Sequence, residues 1–530
     1  MKSMKSLFLR TILLAFLSFV LAACNNDAFV ADTAIAEKQQ VEFTQAPEYP
    51  EIHPTDPNPE AAMEDKSHLQ VNNDREIYRR GLIEEAQWVL DELPGASVYQ
   101  IRFTISDDKL SLAGTELVEY TNREDVSLEE IYFQLFPNAA GGSSEISNVM
   151  VNDVQVEPVY QPDHTAVKIP LIQQLQPGES TMVEFDFTVD IAQEMAGNYG
   201  TFGYFFDVLV LDEFYPVIPV YDDRWHIHIP TNGDLTYLDA SFYLVEVTAP
   251  KKMELVTSGI ELSQDTHGNT QTVVYAAGPA RDFYLAGSDK YKSVSKKVGE
   301  TTINSYAFAN RKDGAQHALE AAENALLIFN QRFGKYPYTE MDIASTPLQA
   351  LGIEYPGIMG VTLDTYDLKD SLLGLPNTVM LESIVAHEVG HQYFYNVVGN
   401  NQIEEPWLDE ALVQYITALF YKELYGPEGY NSLRDSWYSR WARVDNADTP
   451  IGMPSELYTP KEYSPIVYGR GPLFIEALAA EMGEGVFDSF LRDYYDSYMW
   501  EISTGEGFKV LAEQHCSCDL TDLFDDWVNY

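Results

Sequence analysis

At 530 residues the chain is too long for one ordinary domain, and two or three are expected. Its 45% apolar composition, with 34 Tyr and 26 Phe, is ample for real cores and excludes a wholly disordered protein. The 82 acidic residues against 33 basic ones give a net charge of -49. That charge excludes nucleic acid as a natural partner, because phosphate binding needs a positive surface. A solubilising acidic coat, an attraction for cationic peptides and adaptation to salt all fit it, and nothing in the composition defines an oligomeric state.

The first residues read as an export signal. Lys2, Lys5 and Arg10 form a positive start, Ile12 to Val20 a short apolar run, and Leu21-Ala22-Ala23-Cys24 follows at once. The run is too short and wrongly flanked for a stable transmembrane helix. Leu-Ala-Ala-Cys resembles the bacterial lipobox, in which the Cys is acylated and becomes the new N-terminus. The expectation is a signal peptide over 1–23 and a lipid on Cys24 that holds the protein to the bilayer, at the outer face of a bacterial cell membrane. Residues 24–96 read as an acidic, Pro-rich tether, as in His53-Pro54-Thr55-Asp56-Pro57-Asn58-Pro59, followed by a short helix. Leu82, Ala86, Val89 or Leu90, and Leu93 carry the helical spacing, and Pro94-Gly95 ends it.

Over 97–298 the period changes to two. Tyr99, Ile101, Phe103 and Ile105 alternate with polar residues, as do Ile131, Phe133 and Leu135, and Val183, Phe185, Phe187 and Val189. Turn signals such as Ala140-Gly141-Gly142 and Pro177-Gly178 separate the runs, so an antiparallel β domain is expected. Over 299–530 helices dominate. Helices are predicted over Gln316 to Phe333, Thr378 to Val398, Trp407 to Tyr425, Gly471 to Met482, Phe487 to Tyr495 and Leu520 to Tyr530. Three Cys make no disulfide framework. His515-Cys516-Ser517-Cys518 reads as two ordinary thiols near a helix end, with a minor metal site and a local disulfide as the alternatives.

The chemistry concentrates at His387-Glu388-Val389-Gly390-His391, an HExxH on a predicted helix. Residues i and i+4 share one helical face, so both imidazoles can reach one ion, and Glu388 lies beside it, toward a water. Zn2+ suits such a site, with three protein ligands and one open position. Glu410 follows on the next predicted helix, framed by Trp407, Leu408 and Leu412. A buried carboxylate there needs a cation, which zinc would supply. The His-rich third-ligand pattern of metzincins is absent, with Phe394 and Val397 in its place.

These residues resemble the gluzincin aminopeptidases related to aminopeptidase N and leukotriene-A hydrolase. His387 to Asn396 (HEVGHQYFYN) is similar to the family's HExxHxWFGN, Trp407 to Ala411 (WLDEA) to its WLNEG, and Tyr468-Gly469-Arg470-Gly471 to its YEKG. Phe333 to Tyr338 (FGKYPY) and Ala280-Arg281-Asp282-Phe283 also resemble family stretches. The resemblance implies an α+β multidomain fold, a β-rich saddle-like sandwich domain followed by a mainly helical thermolysin-like catalytic domain. It implies one Zn2+ on His387, His391 and Glu410, Glu388 as general base, Tyr468 as oxyanion donor, and peptides as substrates. The family's GxMEN exopeptidase motif corresponds to Leu351-Gly352-Ile353-Glu354-Tyr355. Glu354 would bind the substrate's free amine, Gly352 would lie along the peptide, and the Met and Asn are replaced. A second amine-binding residue would come from Asp207 to Pro216, with Asp212 and Glu213 as candidates. The rivals are a lipid-anchored endopeptidase or amide hydrolase, and a surface binding protein without catalysis.

Overall fold

The computed structural model describes residues 74–529 apart from 196, 231, 235 and 236. The expected signal peptide, Cys24 and the tether up to residue 73 lie outside the described residues. From Tyr78 to Ala96 the chain packs into the core of the helical half, through Tyr78, Leu82, Ile83, Ala86, Val89 and Leu90. The expected helix is broken here into 3-10 turns at Arg75–Gly81 and Glu84–Ala86 and one α-turn at Val89–Glu92. The break has a cause: Ile83 donates its N–H to the Pro337 carbonyl at 2.9 Å, and Thr339 donates to Gly81 at 2.9 Å. Extended pairing to the catalytic half replaces helical bonds, satisfying the same backbone groups another way.

The β half is built on an eight-stranded sheet. Its order is Ile260–His267, Thr270–Ala280, Ser241–Pro250, Val98–Ile105, Ser111–Thr121, Ser180–Asp190, Ser143–Val151 and Val154–Gln155. Pairing is antiparallel except between Val98–Ile105 and Ser241–Pro250, which run parallel. The period-two residues do what alternation predicts. Tyr99, Ile101, Phe103 and Ile105 are buried while Arg102 and Thr104 are exposed. A three-stranded and a four-stranded sheet share this second core with the large one.

A further sheet of five strands belongs to the catalytic half. Its order is Tyr291–Val298, Thr301–Phe308, Glu340–Thr346, Ile358–Thr362 and Gly352–Tyr355. The expected boundary after residue 298 therefore falls inside a hairpin of one sheet, and sheet membership changes after Ser288. Gly352–Tyr355 is the edge strand of this sheet, which leaves one side of its backbone free of strand partners.

Helices then dominate: α1 Lys312–Arg332, α2 Asn377–His391, α3 Glu410–Tyr425, α4 Pro427–Trp441, α5 Gly471–Met482 and α6 Glu484–Ser497. Several predicted ends shift, two of them by three residues or more beside the metal-binding motifs. Helix α2 stops at His391 rather than Val398, because the Tyr395 and Val397 carbonyls turn to accept from the Arg281 guanidinium at 2.8 and 3.3 Å. Helix α3 starts at Glu410 rather than Trp407, where the Asp409 side chain accepts the Glu410 N–H at 2.8 Å. Arg281, 2% exposed, also donates to the carbonyls of Leu238 and Glu501, so one guanidinium ties the β half to the catalytic half. Cys516 and Cys518 form a disulfide, against the expectation of free thiols. Ser517 is in the left-handed region at φ 52°, which brings the two Cα atoms to 5.1 Å. No helix among the described residues is long and apolar enough to cross a membrane.

Candidate metal centre and substrate cavity

Helices α2 and α3 pack closely because Gly390 faces α3. A Cβ on Gly390 would meet Val413 at 2.8 Å and Ile416 at 3.1 Å. That approach brings Glu410 to the two imidazoles. His387 Nε2 and His391 Nε2 are 3.1 Å apart, and Glu410 Oε2 lies 3.3 Å from the first and 3.4 Å from the second. Three atoms bound to one tetrahedral Zn2+ at 2.0–2.1 Å would stand about 3.3 Å apart. The three donors therefore fit zinc without rearrangement. Glu410 Oε2 is buried and accepts no hydrogen bond, as an atom awaiting a cation would be. On the outer side, His391 Nδ1 faces the Phe394 carbonyl at 3.3 Å and His387 Nδ1 faces Gln414 Nε2 at 3.5 Å. Such contacts orient metal-binding imidazoles.

The electrostatics agree with this placement. Burial pushes the Glu410 carboxyl up, but the charge of His391 and the close approach of both imidazoles outweigh it and hold it well below the ordinary range. Burial pulls His391 down, and the charges of Glu354 and Glu410 lift it well above its ordinary value. For His387 burial wins and its pKa is lowered.

Glu388 is 3% exposed, and its Oε2 has no hydrogen-bond partner. Burial first, then the charge of Glu354, pushes its carboxyl well above the usual range. Gly352 lies directly against it. A Cβ there would sit 2.1 Å from Glu388 Oε1 and 2.7 Å from Ile384 Cγ2. Tyr468 lies on a π-helical turn, Ile466–Arg470, and its hydroxyl donates to Glu410 Oε1. The turn thus delivers the phenol to the metal-ligand cluster. A pocket of about 110 Å³ is lined by His387, Glu388, Glu410, Tyr468 and Arg440.

Beside it opens a larger cavity of about 540 Å³, between the β half and the catalytic half. Gly352, Glu354, Asp212, Tyr395 and Tyr468 line it. Glu354 is 7% exposed, with Oε1 3.7 Å from His391 Nδ1. Of the two β-domain candidates, Asp212 faces the cavity, and its carboxyl is pushed up to about 7 by burial, with the Glu354 charge adding to it. Glu213 is buried and is not among the lining residues. Gln402 and Asp234 are among the lining residues that escaped the sequence reading. Gln402 donates Nε2 to Glu354 Oε1 at 3.2 Å and to Asp409 Oδ2 at 2.7 Å. Asp234 lines both cavities from the β half. Both lie on connections without a periodic pattern, so only the adjacency of Gln402 to the WLDEA stretch could have drawn notice.

Comparison with known proteins matches this architecture. The Deinococcus radiodurans M1 zinc metallopeptidase superposes with a TM-score of 0.62 at 18% identity, covering 85% of this chain and 94% of that one. A mutant of the same enzyme superposes with a TM-score of 0.63 at 17% identity. The fold is therefore that of the two-domain M1 zinc metallopeptidases. Residues 317–527 match the Peptidase family M1 domain. Aminopeptidase N of Acetobacter pasteurianus is 30% identical over 185 residues, 33% of this chain and 51% of that protein. Aminopeptidase M1-B of Oryza sativa is 24% identical over 299 residues, 54% of this chain and 34% of that protein. Residues 317–527 thus resemble a Peptidase family M1 domain, set in a chain whose fold is that of the M1 zinc metallopeptidases. The chain spans about a third to a half of the curated relatives it matches.

Proposed function

We propose that the protein is a zinc aminopeptidase that releases N-terminal residues from peptides, held by acylated Cys24 at the outer face of a bacterial membrane. One observation carries the catalytic part. Three donor atoms 3.1–3.4 Å apart stand between a buried Glu388 and a cavity that holds Glu354. Zinc, when bound, supplies a Lewis acid and lowers the pKa of water toward about 7. Glu388 takes the proton of the attacking water and hands it to the leaving amine. Its buried setting, which favours the protonated form, suits the second of these steps. The Tyr468 phenol, already aimed at the ligand cluster, donates to the oxyanion that develops on the scissile carbonyl. Glu354 binds the substrate ammonium and so fixes which peptide bond reaches Glu388. The free edge of Gly352–Tyr355 offers backbone groups to the peptide beside it.

The altered Leu351-Gly352-Ile353-Glu354-Tyr355 stretch favours one rival, an endopeptidase indifferent to the amine. Cleavage of one tripeptide with a free and with an acetylated N-terminus separates the two. The aminopeptidase reading expects the free form to be cleaved at least about a hundredfold faster, since a buried carboxylate left without its cation costs several kcal/mol. Equal rates would leave the zinc chemistry standing and remove the role of Glu354. For the lipid anchor, Cys24→Ala is expected to abolish incorporation of labelled palmitate, and labelling of that variant would refute it.

A further inference from the structure

The phenol of Tyr468 sits on an irregular stretch of helix. In the turn Ile466–Arg470 the Gly471 N–H donates to the Ile466 carbonyl, five residues back. Such π turns are rare and occur mostly at functional sites, so what fixes this one bears on Tyr468. The three residues after Tyr468 each meet a different element. Gly469 faces α4, and a Cβ there would lie 2.9 Å from the Trp441 nitrogen and 3.1 Å from the Trp437 carbonyl oxygen. Gly471 faces α3, and a Cβ there would lie 2.6 Å from the Cβ of Ala411, the residue after Glu410. Two missing side chains thus let the turn lie close against both helices.

Arg470 meets a third element. It is 3% exposed, and it donates from Nη1 to the Trp527 carbonyl at 2.6 Å and from Nη2 to the Asp526 carbonyl at 2.7 Å. These carbonyls end the helix Thr521–Trp527. The last carbonyls of a helix have no partner inside it and form the negative end of its dipole, so a buried cation suits them. The guanidinium also lies over the Trp527 ring, 4.6 Å from its centre. That helix is itself held firmly. Ile451 donates to the Trp527 carbonyl at 2.9 Å and Gly452 to the Val528 carbonyl at 3.1 Å. The Phe524 ring packs edge-on against Phe474 and Trp407, with centres 5.2 and 6.3 Å away.

We infer that Arg470 is the positioning residue of Tyr468: by tying the π turn to the helix Thr521–Trp527, it holds the phenol on the metal-binding cluster. The inference rests on the oxyanion role proposed for Tyr468. Arg470 is not among the residues lining either cavity, so it acts through the turn rather than on the substrate. Without its two bonds the turn is left to its packing against α3 and α4. A shift of about 1 Å at the phenol is then enough to lower the rate about a hundredfold.

The test uses the zinc-loaded protein with trialanine as substrate, and reads zinc content, thermal midpoint, kcat and KM. Arg470→Met is expected to keep its zinc and a KM within about twofold, while kcat falls at least about tenfold. Lysine reaches one of the two carbonyls, so Arg470→Lys is expected to recover at least about threefold of that loss. In a Tyr468→Phe background Arg470→Met should change kcat by less than about twofold, because both act through one phenol. The same loss in both backgrounds would mark Arg470 as merely structural and overturn the inference. If Arg470→Met does not fold, Trp527→Leu takes its place, since it removes the ring and keeps the guanidinium. Its severalfold loss of kcat must likewise vanish in the Tyr468→Phe background. Full kcat in the folded variant overturns the inference and leaves the role of Tyr468 standing. A Tyr468→Phe enzyme with wild-type kcat would instead sink that role, and the inference with it.

Discussion

Gly352→Ala tests how tightly the general base is held. The new Cβ would sit 2.1 Å from Glu388 Oε1 and 2.6 Å from its Cδ. Ordinary contact begins near about 3.5 Å, so the carboxylate must retreat by about 1.4 Å. The atoms in the way are the far ends of the Glu388 and Ile384 side chains, which can move. The stability cost is therefore small, about 1 kcal/mol, at the low end for overpacking. The catalytic cost is large, because a misplacement of about 1 Å at the reacting centre lowers the rate about a hundredfold. Purified wild type and variant are compared for zinc content, thermal midpoint and kcat on one aminoacyl anilide. Zinc content is expected to be unchanged and kcat to fall about a hundredfold. In a Glu388→Ala background the same substitution should add little, since both act on one group. A Gly352→Ala enzyme within threefold of wild-type kcat would refute the reasoning.

The remaining expectations are of different kinds. Glu388→Ala keeps its zinc and loses peptidase activity, and retained activity would remove its role. Tyr468→Phe keeps zinc and loses about a hundredfold in kcat, the usual loss for one oxyanion donor, whereas a change confined to KM would contradict that role. Arg281→Ala destabilises the chain by at least about 3 kcal/mol in urea, because four carbonyls, three of them buried, lose a charged donor. Asp282, whose Oδ2 accepts from the Tyr395 hydroxyl at 2.6 Å, is pushed up to about 8 by burial. Between about pH 4 and about pH 8 its carboxyl ionises in the unfolded chain and stays protonated in the folded one. Its effect is thus a loss of stability as pH rises through that window, and Asp282→Asn should flatten the slope. A slope unchanged in the variant would contradict the raised pKa.

The parts legible in the sequence were those with a period or a fixed spacing. Alternation in Tyr99 to Ile105 defined a strand and its buried face. The i, i+4 spacing of His387 and His391 required a shared helical face, and apolar neighbours made Glu410 a buried acid needing a cation. Features set by partners distant in sequence were not legible. The end of α2 at His391 depends on Arg281, more than a hundred positions earlier. Gly352 read as a contact for the peptide, yet in the fold its missing Cβ makes room for Glu388. Gln402 lies in a connection whose side chains gain meaning only when Glu354 and Asp409 arrive beside it. The Cys516–Cys518 bond depends on a left-handed Ser517, which composition does not announce.

Anomalous diffraction at the zinc edge, from crystals of the zinc-loaded protein, tests the central claim most directly. The account predicts one strong peak bonded to His387 Nε2, His391 Nε2 and a Glu410 carboxylate oxygen, each at about 2.0–2.2 Å. A peak at the Asp222, Asp223 and His226 cluster instead, or no peak at His387, would contradict it.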